Sequence, residues 1–138
     1  MSADDEPLYA AEFAPVEGGR VTIRTRDYGT VVLDEPDWCN GRHMQGGFRE
    51  DIQHQSADVD MTFNVGQATG PATLLSSYLQ LRPFSPTRPD LLMSVEFSDQ
   101  DVALDPAGLD ALAAALVEHA CVVRHAARRL AVLRETGR

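Results

Sequence analysis

Three stretches in the middle of the chain alternate apolar and polar residues with period two, and this limits the possible folds more than any other feature. In 58–65, Val59, Met61, Phe63 and Val65 share one face, opposite Asp58, Asp60, Thr62 and Asn64. In 75–82, Leu75, Ser77, Leu79 and Leu81 alternate with Ser76, Tyr78, Gln80 and Arg82. In 91–97, Leu91, Met93, Val95 and Phe97 oppose Leu92, Ser94 and Glu96. Successive strand side chains point to opposite faces, so strict alternation predicts an antiparallel sheet buried on one side and wet on the other. Two shorter strands are expected upstream, over Val21–Thr25 and Thr30–Leu33, joined by a turn around Asp27-Tyr28-Gly29. Pro83 to Pro89 holds three prolines, which donate no ladder hydrogen bond, and therefore reads as a connection.

The last third reads as one long helix. Asp105 is a good N-cap, and Pro106 suits the first helical position, where a missing N–H costs nothing. Leu109, Leu112, Ala113, Leu116, Ala120, Val123, Ala127 and Leu130 recur at spacings of three and four, forming one apolar stripe. Arg128, Arg129 and Arg134 suit the negative end of the helix dipole, and Gly137 marks the stop. The predicted fold class is α+β: a small antiparallel sheet of four to five strands, packed on one face by this helix. A helix of this length reaches roughly 45 Å, whereas a typical strand covers only about 17–20 Å. It therefore either breaks near His119–Arg124 and covers its own sheet, or overhangs and presents its stripe to a partner. The overhang implies a homodimer or docking on another protein.

The chain has 138 residues, enough for one domain over 19–138, preceded by an acidic arm over 1–18 with Asp4, Asp5, Glu6, Glu12 and Glu17. Acidic residues number 21 against 12 basic, a net charge of −9, which argues against a nucleic-acid partner. The acidic start lacks the basic and apolar regions of a secretory signal. No unbroken apolar run approaches the ~18 residues of a membrane span. The two cysteines make no disulfide framework, so the expected compartment is the reducing cytoplasm, away from the membrane.

Metal-ligand chemistry concentrates in Pro36-Asp37-Trp38-Cys39-Asn40-Gly41-Arg42-His43, followed by Glu50-Asp51-Ile52-Gln53-His54. A thiolate and two imidazoles, from Cys39, His43 and His54, suit a borderline-soft ion such as zinc. Asp51, Glu50, Asp37, water or a group from a second chain would complete the set; Asp51 would otherwise orient an imidazole. Two other readings stay open. Cys39 can be a small buried hydrophobe beside Trp38, with the histidines bonded to backbone. Alternatively, it is the nucleophile of a small thiol-dependent hydrolase, with His54 or His43 as base and Asp51 orienting it. Trp38 reads as a packing lid over the loop.

The Pro-x-Trp-Cys start at Pro36–Cys39, the nearby His43, the Asp-x-x-His at Asp51–His54, the alternating strands and the Ala/Leu-rich helix together carry a resemblance. The chain resembles a family of small uncharacterised proteins of actinobacteria and their phages, a domain of unknown function, over roughly Val31 to Val132. The resemblance implies a shared site at Cys39, His43, Asp51 and His54, and no activity. The functional expectation is a cytoplasmic, zinc-stabilised accessory or regulatory module acting through protein contacts rather than as an enzyme. A purely structural, helix-mediated dimerisation protein is the remaining alternative.

Overall fold

The computed structural model describes residues 13–64, 66 and 70–137. Two compact units divide the chain, Met1–Ala103 and Leu104–Arg138. In the first, β1 (Val16–Glu17), β2 (Arg20–Arg24) and β3 (Thr30–Asp34) form an antiparallel sheet in that order. The second sheet contains β4 (His54–Gln55), β5 (Val59–Asn64), β6 (Pro71–Leu81), β7 (Leu92–Phe97) and β8 (Gln100–Leu104). β6 is its spine, pairing antiparallel with β4, β5 and β7. The α+β class stands as read from the sequence, but the strands are divided between two sheets of three and five strands instead of forming one. Local periodicity identifies strands; it carries no information about which strands share a ladder.

Val21 and Ile23 alternate inward on β2 and are almost wholly buried, with Ala14 and Ile52 packed beside them and Val31, Leu33 and Phe84 closing the cluster. β2 and β3 pair in register from Arg20↔Asp34 to Arg24↔Thr30. The reversal between them uses Gly29 at φ 68°, a left-handed conformation that costs glycine nothing, and Thr25 N–H donates to its carbonyl at 2.8 Å. Of the stretch read as an arm, residues 1–12 lie outside the described residues, while residues 13–18 belong to the fold. Ala14 is buried, its N–H donates to His43 O at 2.8 Å, and β1 pairs with β2.

The loop after β3 is pinned to both sheets. Gly46 N–H donates to Arg24 O at 2.8 Å, Arg26 N–H to Gly47 O at 2.7 Å, and Asn40 N–H to Gln55 O at 2.8 Å. A short 3-10 turn over Arg49–Asp51 then leads into β4. On β5 the pairing with β6 shifts between Met61 and Thr62, leaving Leu74 as the extra residue of a bulge.

The second unit is the helix α1 (Pro106–Thr136), which runs without a break through His119–Arg124. Its ends follow the sequence reading: the Asp105 side chain accepts from Gly108 N–H at 2.8 Å, and Gly137 closes it at φ 67°. Leu109 and Leu112 of its apolar stripe are half-buried, and no residue of α1 is fully buried. By length and composition α1 is long and apolar enough to cross a membrane. Asp110 and Glu118 interrupt its apolar run, so its longest unbroken stretch falls short of a membrane span.

Candidate metal centre

β3 ends at Asp34, and the next residue, Glu35, is held by its N–H donating to Gly19 O at 2.8 Å. The chain then turns: Cys39 N–H donates to Pro36 O at 3.0 Å, and Arg42 N–H to Asn40 Oδ1 at 3.0 Å. Gly41, at φ 74°, allows the reversal that brings His43 back beside Cys39. His54 comes from the other sheet, where β4 pairs it with Leu81 of β6. Two sheets and one loop thus converge on a single point.

At that point Glu35, Cys39, His43 and His54 each offer one ligand atom, and the four atoms lie within 4.8 Å of one another. The Glu35 carboxylate accepts from His43 Nε2–H at 2.8 Å and from His54 Nδ1–H at 2.8 Å. Cys39 Sγ lies 3.5 Å from His43 Nε2. The side chains of His43, His54 and Glu35 are 3%, 2% and 7% exposed, which removes water as their alternative partner. The imidazole rings stand edge to face, 5.0 Å between centroids, and Trp38 lies edge-on to His54 at 6.4 Å, consistent with the lid expected of it. A cavity of about 280 Å³ borders His43, with Ile23, Asn40, Met44, Phe48 and Ile52 among its lining residues.

The electrostatics follow from this crowding. Burial pushes the Glu35 carboxyl upward, but hydrogen bonds from Cys39, His54 and His43, with the His43 charge, outweigh it and hold the group below its ordinary range. Burial also raises the Cys39 thiol, and its hydrogen bond to the Glu35 carboxylate adds to the rise. Burial lowers His54, and Glu35 only partly opposes this. Without an ion, the favoured state is therefore an ionised carboxylate surrounded by a neutral thiol and a neutral His54.

Cys39, His43 and His54 come together as the sequence reading placed them. Asp51 lies outside the group: it sits on the 3-10 turn, 56% exposed, and pairs with Arg82 Nη2 at 3.1 Å. Glu35 takes the carboxylate position. Glu35 directly follows a strand and lies outside the Trp-Cys motif, so neither feature marks it in the sequence. The available signal was its even spacing, since Glu35, Cys39 and His43 recur every fourth residue.

Residues 20–132 match the family described as a domain of unknown function, DUF6907. That match covers most of the chain, and the chain belongs to this family. It begins before the Val31 expected from the motif and takes in β2, whose Val21 and Ile23 build the core beneath the loop. No curated protein and no solved structure matches the chain.

Proposed function

We propose that this chain is a small cytoplasmic accessory or regulatory module that acts through protein contacts and is stabilised by one zinc ion on Glu35, Cys39, His43 and His54. The observation that carries the reading is the convergence of four buried or half-buried ligand atoms from three separated stretches within 4.8 Å. A thiolate, two imidazoles and a carboxylate are all groups that zinc accepts, and four protein ligands fill a tetrahedral structural site. The thiolate and carboxylate together neutralise a divalent ion, so the loaded site carries no net charge into the interior. Tetrahedral zinc requires ligand atoms about 3.3–3.8 Å apart, so the 2.8 Å contacts on Glu35 have to open slightly as the ion replaces the protons. In this reading the Trp-Cys and Asp-x-x-His frame belongs to small proteins of actinobacteria and their phages.

The raised Cys39 thiol counts against the thiol-hydrolase reading, because a nucleophilic cysteine needs its pKa lowered. Native mass spectrometry of the purified chain tests the proposal. One zinc per chain, with a fall in thermal midpoint on chelation, is expected; a metal-free chain indifferent to both zinc and chelator overturns it.

A further inference from the structure

α1 carries a stricter pattern than an amphipathic stripe. Leu109, Leu116, Val123 and Leu130 are each seven residues apart, and so are Leu112, His119, Ala126 and Leu133. These two series are the a and d positions of four consecutive heptads. A straight helix repeats every 3.6 residues, so a fixed seven-residue seam drifts around it by about 20° per heptad. The seam stays on one side only if the helix supercoils about another helix. Along the seam Leu109 and Leu112 are half-buried, while Leu116, Val123, Leu130 and Leu133 are 39%, 67%, 57% and 38% exposed.

We infer that α1 pairs with α1 of a second copy of this chain as an antiparallel coiled coil. The charges decide the direction. The half from Pro106 to Glu118 carries Asp110 and Glu118 and no basic residue, whereas the half from Arg124 carries Arg124, Arg128, Arg129 and Arg134 against Glu135 alone. A parallel pair aligns the arginine halves and sets Arg129, at g, against Arg134 of the second copy, at e. An antiparallel pair lays each arginine half along an acidic half. It places Leu109 opposite Leu133, Leu112 opposite Leu130, Leu116 opposite Ala126 and His119 opposite Val123. The flanking e positions, Ala113, Ala120 and Ala127, are all small and let the two backbones approach closely. The opposed helix dipoles add to the preference. A bilayer fits the same helix less well, because Glu118 and His119 interrupt its most apolar stretch and four arginines follow. The inference is independent of the metal.

Sedimentation equilibrium of the zinc-loaded full chain should return twice its 15.1 kDa, and Leu116→Asp should return a single chain with its helical signal retained. Direction is read by cross-linking in a Cys121→Ser background. A mixture of Leu116→Cys and Ala126→Cys chains should give the mixed disulfide on mild oxidation, identified by mass spectrometry of the linked peptides. Ala126→Cys alone should not link to itself. A monomeric wild-type chain, an Ala126→Cys self-link, or a chain that floats with phosphatidylcholine–phosphatidylglycerol vesicles each overturns the inference.

Discussion

Glu35 is the residue on which the site turns. It accepts from both buried imidazoles, and without it those N–H groups have no water to fall back on. Glu35→Ala should therefore destabilise even the metal-free protein by about 1–3 kcal/mol for each donor left unpaired, as well as abolish stoichiometric zinc. Asp51→Ala removes only a half-exposed ion pair with Arg82 and should change stability by less than about 1 kcal/mol. Urea titrations of the two variants, with and without zinc, check the contrast; equal losses would return Asp51 to the site. The pH dependence has a definite sign on each side. His54 is lowered from 6.5 and Glu35 from 4.5, so as pH falls through 6.5 and then 4.5 the unfolded chain takes up protons that the folded chain refuses. Cys39 is raised from 9.0, so above that pH the unfolded chain loses its proton first, and stability falls again. Thermal scans of the metal-free protein should peak between these limits. Zinc should erase the alkaline decline, because the bound thiolate has no proton to lose.

At the scale of elements, the helix ends and the strand pairings are stabilised by different physics. α1 begins with one side-chain bond, Asp105 to Gly108 N–H, and Asp105→Ala should cost about 0.5–2 kcal/mol of helix stability. Circular dichroism melts check this, and an unchanged melt would mean that the cap is replaced by water at no cost. The caps were legible in the sequence because a cap is a contact over three or four residues. The long alternating strands were legible for the same reason. β4, with two residues, is too short to show a period, yet it carries His54 to the site. β1 was hidden within an acidic, proline-containing stretch, and its pairing with β2 depends on a turn at Gly18-Gly19 rather than on its own side chains.

For the whole molecule, the candidate metal cluster and the apolar seam fall in different compact units, the cluster within Met1–Ala103 and the heptads within Leu104–Arg138. Under the proposed function and the inferred pairing, a zinc ion in the first unit would fix the loop after β3, and a paired α1 would give the molecule a second copy. Chelation should consequently lower the thermal stability of the sheets while leaving the dimer mass unchanged. Analytical ultracentrifugation in the presence of chelator measures this directly, and dissociation on metal removal would show that the two features are coupled.

The sequence by itself determined the α+β class, the limits of α1, the longer strands and three of the four residues of the candidate metal cluster. Each of these is written in residues close together along the chain, as a period, a cap or a cluster of soft donors. Only the tertiary structure decided that the strands divide between two sheets and that Glu35 rather than Asp51 lies beside Cys39, His43 and His54. The choice rests on distant pairings: His54 with Leu81 across β4 and β6, and Asp51 with Arg82 beside them. Those contacts turn one acid outward and leave the other facing the two imidazoles. Both acids lie within four residues of a cysteine or histidine along the chain, and their different surroundings arise only once the ladders have formed.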